Sequence, residues 1–151
     1  MKDELVVILL LLALFQIKHF LIDFCAQFEQ KDSIKKFYAE GWIWPLFKHS
    51  GQHSIATLLI SFVFLTILAQ FSLSSAIFWS FWLAIFDLTI HFGMDRLKAS
   101  PFLLGKFKYP SREYFYSLGF DQMVHHFTHY AIIATLFCLY YGSLTFYYAC
   151  L

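Results

Sequence analysis

Histidine and aspartate recur in this chain at intervals of four residues. His19 and Asp23 lie in HFLIDF, and His91 and Asp95 lie in HFGMDR, two copies of H-F-x-x-D. Asp87 precedes the second copy by a further four. His49 and His53 form H-x-x-x-H, as do His125 and His129, with Asp121 four residues earlier. Residues four apart share one face of a helix, so each set projects together. Imidazole and carboxylate suit zinc, manganese and iron, and such a site needs no thiolate. The chemistry open to it is metal-assisted: a polarised substrate oxygen and a water acidified towards neutrality.

The expected ligands are therefore His19, Asp23, His49, His53, His91, Asp95, His125 and His129. They would hold one or two divalent ions, zinc first, with iron or manganese as alternatives; hydrolytic metal pairs sit about 3.5–4 Å apart. Asp87 and Asp121 are the expected catalytic carboxylates, taking a proton or orienting an imidazole. Lys18, Arg96 and Lys98, with Gln27 and Gln122, are the expected substrate-binding groups. Plainer readings stand beside these. His126 lies off the 125/129 face and reads as an interfacial polar group. Asp121 follows Gly119-Phe120 and could cap a helix. Asp95 could pair with Arg96 and Lys98, Lys18 could snorkel to the headgroups, and Ser50-Gly51 could interrupt the helix between His49 and His53.

The elements that must carry these residues are apolar. The 151-residue chain is 60% hydrophobic, 22% aromatic and 14% charged, with mean hydropathy +0.62. A soluble domain carries about a quarter charged residues, so the bilayer is the expected solvent. Net charge is +1, close to neutral, which gives no support for nucleic-acid binding. Cys25, Cys138 and Cys150 are odd in number and lack C-x-x-C spacing, against a thiolate site. The start MKDE is weakly basic and no small-residue cleavage site follows, so the first apolar run reads as a retained helix.

A helical span takes about 20 mostly apolar residues. Four segments qualify: 5–24, 51–71, 74–92 and 120–148. The 70–75 link is short and uncharged, a tight hairpin. The links at 29–48 and 96–119 mix Lys and Arg with Trp, Tyr and Phe, the composition of the headgroup layer, and Pro45, Pro101 and Pro110 should break any helix there. Ten of the eleven Lys and Arg lie at the ends facing these long links, leaving Lys2 alone opposite. The positive-inside rule then puts the links in the cytoplasm and both termini outside. Because chain direction alternates, every His and Asp of the pattern falls at the cytoplasmic end.

The motif order repeats between 5–71 and 74–148, which predicts two helix pairs related by a pseudo-two-fold axis along the membrane normal. The expectation is an all-α, polytopic, single-domain bundle of residues 1–151. An ionisable group in lipid costs about 2.5–3.5 kcal/mol even on the lenient insertion scale, so the polar stripes should face one another.

At HFLIDFCAQ with Lys31, KHSGQHS, HFGMDRLK and DQMVHH, the chain resembles a family of small multi-pass bacterial and phage membrane proteins known as domain of unknown function 3307. The resemblance implies a multi-pass protein of the bacterial inner membrane and no particular reaction. More distantly it is similar to small membrane proteins described as metal-dependent hydrolases. The histidine pairs also resemble the boxes of membrane di-iron desaturases and hydroxylases, although those have H-x-x-H-H where this chain has H-H-x-x-H at 125–129.

The function expected is a membrane-embedded, metal-dependent hydrolase acting on a phosphoryl or acyl ester of a lipid-like substrate. Alternatives are a di-iron oxidoreductase, a transporter or metal carrier, and a non-enzymatic membrane interaction protein such as a phage factor. Expected partners are the bilayer and a lipid or lipid-like substrate, and a homo-oligomer is compatible with the sequence.

Overall fold

The structure, a computed structural model, describes residues 2–26 and 40–149, with side chains for 4–26 and 40–143. Gln27, Lys31 and most of the first long link lie outside the described residues. Among the described residues the chain is helical, without strands.

Helix α1 spans Lys2–Phe20 and continues through a π-helical turn, Leu21–Ala26. Helix α2 spans Ile43–Val63 and also ends in a π-helical turn, Phe64–Leu68. Helix α3 spans Leu73–Ala99 and α4 spans Arg112–Ala149. Each helix packs on its chain neighbour and α4 returns to α1, so the four close into a ring. Three segments, Glu4–Ala26, Ile43–Leu68 and Leu73–Lys106, are long and apolar enough to cross a membrane.

Local chemistry explains most of the boundaries. Ser72 caps α3 by accepting a hydrogen bond from Ser75 N at 3.3 Å, and Ser111 accepts from Tyr114 N at 3.2 Å at the start of α4. Each satisfies a backbone donor that has no partner inside the helix. Pro110 stands just ahead of α4. Pro45 does not break its helix, contrary to expectation: it sits in the first turn of α2, where the missing N–H has no acceptor to lose. The α2–α3 link turns at Gln70, whose backbone is left-handed (φ 54°).

The link after α3 folds back through a short 3-10 turn, Leu104–Lys106. Gly105 N donates to Ser100 O at 2.9 Å there. A Cβ on Gly105 would stand 2.8 Å from the carbonyl oxygens of Lys98, Ala99 and Ser100, so only glycine fits without a shift.

Three helices reach further into the polar end than hydropathy suggests. Helix α2 begins at Ile43 instead of 51, α3 ends at Ala99 instead of 92, and α4 begins at Arg112 instead of 120. A hydropathy window stops at ionisable residues, but here those residues face the bundle interior, so the helix need not end where they begin. The helix is unbroken through Ser50-Gly51. Asp121 lies nine positions inside α4 and does not cap it.

The interior divides along its length. Near the α2–α3 hairpin it is apolar, built from Leu11, Phe15, Phe64, Leu65, Ala76, Leu83, Ile132 and Leu136. Towards the long links it is polar. The outer surface carries large exposed apolar side chains, among them Leu9, Ile55, Phe78, Trp82 and Phe127, which is compatible with a membrane surround.

Candidate metal centre

Four polar stripes make the site. On α2, His49, His53, Thr57 and Ser61 follow one another at intervals of four, all buried. On α3 the stripe is Asp87, His91 and Asp95, and on α4 it is Asp121, His125 and His129. Helix α1 adds Lys18 and His19, and its π-helical turn adds Asp23. His53, Asp87, His91, Asp121 and His129 have no exposed surface at all.

Asp23 gathers the first half. Its Oδ1 lies 2.7 Å from His53 Nε2 and 3.3 Å from His49 Nε2, and its Oδ2 lies 3.2 Å from His19 Nδ1. Asp95 faces both halves, with Oδ2 3.4 Å from His49 Nε2 and Oδ1 3.9 Å from His125 Nε2. Asp121 Oδ1 lies 3.9 Å from the same His125 nitrogen. The imidazoles of His53, His91 and His125 form a stack, with ring centroids 4.0 and 4.2 Å apart. His19 approaches from the side, 5.9 Å from His53 and 5.4 Å from His129.

Two lysines enter this polar interior. Lys18 Nζ donates to Asp87 Oδ2 at 2.6 Å and to Thr57 Oγ1 at 2.8 Å, and Thr57 donates in turn to Asp87 Oδ2 at 2.6 Å. Lys18 therefore does not snorkel. Only 5% exposed, it turns inward because Asp87 offers a countercharge at its own depth. Lys98 Nζ donates to Asp121 Oδ2 at 2.5 Å. Gln122 bridges, its Nε2 donating to Asp121 Oδ2 at 3.1 Å and its Oε1 accepting from His19 Nε2 at 3.0 Å.

Several buried donor atoms remain without a hydrogen-bond partner among the described residues: His53 Nδ1, His91 Nε2, His129 Nδ1, both nitrogens of His125, and Asp121 Oδ1. Each such atom costs about 1–3 kcal/mol in a dry interior. A bound cation taking up their lone pairs removes that cost, so the donor set fits a metal. Four combinations bring one ligand atom from each residue within 4.8 Å of the others: His19, His53, His91 and His129; His19, Asp23 and His125; Asp23, His49 and His53; Asp95, Asp121 and His125. Tetrahedral ligands at zinc-like bond lengths stand about 3.3 Å apart. These buried His and Asp groups could hold a metal ion.

All eight expected ligands meet in this one region, His49 included. Asp121 joins them beside His125, Asp87 lies beside His91, and each is tied to a lysine. Arg96 lies apart, its guanidinium 3.6 Å above the ring of Trp42. Asp95 turns to His49 and His125, not to an interfacial pair with its sequence neighbours. His126 is half-buried off the main face, with Nδ1 3.3 Å from Gln16 Nε2. Thr57 and Gln16 escaped the sequence reading. Thr57 was detectable, since it follows His53 by one helical turn; Gln16 carries no such signal.

In comparisons with known proteins, no family model, no curated protein and no solved structure matches the chain. The resemblance to the family of unknown function rests on the motifs quoted above.

Proposed function

We propose that the chain is a four-span protein of the bacterial cytoplasmic membrane, with both termini outside and a metal-dependent hydrolase site facing the cytoplasm. The observation that carries this reading is the convergence of buried imidazoles and carboxylates from four helices, with several donor atoms still unpartnered. The ring order also supports the pseudo-two-fold: α1 and α3, the bearers of H-F-x-x-D, are not neighbours in the ring.

The substrate class is a phosphoryl or acyl ester of a lipid-like molecule. A groove of about 440 Å³ between α1 and α2, lined by Leu10, Leu14, Leu59, Ile60, Val63 and Ile67, supports this. It begins one helical turn from Lys18 and Thr57, so an acyl chain lying in it would carry its ester towards the polar end. A divalent ion, zinc in the first instance, supplies Lewis acidity and lowers the pKa of water towards 7.

The chain's own residues do the rest. Asp87 accepts from Lys18 and Thr57 and stands 3.0 Å from His91 Nδ1, fixing that ring with Nε2 turned away. Asp121 and Gln122 hold the flank beside His19 and His125. Asp23, the most exposed of the four carboxylates with 10% of its side chain accessible, is suited to take the proton from the attacking water. Lys98, with 21% of its side chain accessible, stands where an anionic headgroup would enter.

The test is hydrolysis of phosphoryl- and acyl-ester lipids by the full chain reconstituted in vesicles. Activity should disappear with a chelator, return with metal, and be absent in His91→Ala. Hydrolysis that survives both treatments contradicts the reading. Bound iron with oxygen consumption would replace it with the di-iron oxidoreductase.

A further inference from the structure

We propose that the cluster is two adjoining metal sites of unlike chemistry: an imidazole site of His19, His53, His91 and His129, and a carboxylate site of Asp95, Asp121 and His125. This rests on reading the cluster as a metal centre. Of the four combinations these two share no residue, and within each the ligand atoms lie within 4.8 Å of one another; a third, His19, Asp23 and His125, takes one residue from each and joins them. Seven donors exceed what one zinc-sized ion binds, usually four. The sets touch through the parallel His91 and His125 rings, 4.2 Å apart and tilted by 17°.

Both sites keep buried atoms for a ligand. In the first, His53 Nδ1 and His91 Nε2 have no hydrogen-bond partner; in the second, Asp121 Oδ1 and both His125 nitrogens have none. The lysines do not occupy these atoms. Lys98 takes Asp121 Oδ2 and leaves Oδ1, while Lys18 bonds Asp87 and Thr57 and stands 3.4 Å from His129 Nε2, leaving His129 Nδ1 without a partner.

The repeat pairs His19 with His91 and His53 with His129, so both halves build the imidazole site. Aligning H-x-x-x-H at 49–53 with 125–129 sets Asp121 opposite Pro45, so the carboxylate site has a ligand that the first half does not repeat. Four neutral imidazoles suit zinc, copper, nickel or iron, whereas two carboxylates and one imidazole suit manganese, magnesium or iron.

Sites of unlike donors bind a given ion with unlike affinity, so the two should fill in succession.

The experiment is titration of the full chain, purified in detergent and stripped with a chelator, with cobalt(II). Optical spectra follow the filling and elemental analysis gives the stoichiometry. The wild type should take two equivalents in two steps. Asp95→Asn/Asp121→Asn should keep one equivalent, with the intense visible bands of tetrahedral nitrogen coordination. His53→Ala/His129→Ala should keep one equivalent with weaker bands of higher coordination number. A wild type that saturates at one equivalent overturns the two-site inference and leaves the metal centre standing. A wild type that binds no cobalt overturns both. The wild-type stoichiometry decides the matter even if a variant fails to fold.

Discussion

Among the described residues, Lys18 and Asp87 form the most enclosed lysine–carboxylate pair, with 2% and 0% of their side chains accessible. Removing one partner of a buried pair leaves an uncompensated charge and costs about 3–5 kcal/mol, whereas replacing both with apolar groups is often neutral. Lys18→Met should therefore lower the thermal midpoint in detergent sharply. Lys18→Met/Asp87→Leu should recover most of the loss, and a double variant no better than the single would refute the pairing. Asp23 calls for a different measurement. Because it touches His19, His49 and His53, Asp23→Asn should weaken metal binding by about 10–100-fold, the range seen when a carboxylate that orients metal-binding imidazoles is lost. Competition with a chromogenic chelator reads this directly.

Among the helices, two glycines make opposite predictions. Gly51 lies inside α2 between His49 and His53, and nothing approaches within 4 Å of where its Cβ would be. Gly51→Ala should stabilise the protein by up to about 1 kcal/mol, the helix-propensity difference between the two residues. Gly105 meets three carbonyl oxygens at 2.8 Å, so Gly105→Ala should cost about 1–3 kcal/mol as the link is pushed off the end of α3. Thermal unfolding of the two variants side by side checks the sign of each. The same contrast shows what the sequence made legible. Spacing of four put His49 and His53 on one face, and alternating chain direction put all four polar sets at one end, so the His and Asp cluster could be read without coordinates. Helix ends could not. Hydropathy treats His49 and Asp95 as part of a polar link and starts the last span at residue 120, and only the packing of α2, α3 and α4 reveals that their polar faces turn inward. Lys18 was misread for the same reason: snorkelling is the default for a lone lysine, and Asp87, its partner, lies far along the chain.

Across the whole molecule, an apolar half and a polar half share one bundle. The apolar half packs Leu11, Phe15, Leu65 and Leu136, and the polar half holds the His and Asp cluster. The exposed apolar side chains are compatible with a lipid surround, and the proposed topology turns the polar end to one aqueous compartment. In a background lacking Cys25, Cys138 and Cys150, a cysteine at Lys108 should react with an impermeant thiol reagent only from the cytoplasmic side. A cysteine at Ser74 should react only from the other side; labelling of both from one side would contradict the four-span topology. The unity of the cluster is the claim on which the rest depends, and X-ray absorption at the edge of the bound metal tests it most directly. A centre built from these helices predicts nitrogen and oxygen neighbours at about 2.0–2.2 Å, with the outer-shell scattering of several imidazoles and no sulfur. Protein purified without any transition metal, or metal held without imidazole, would contradict it.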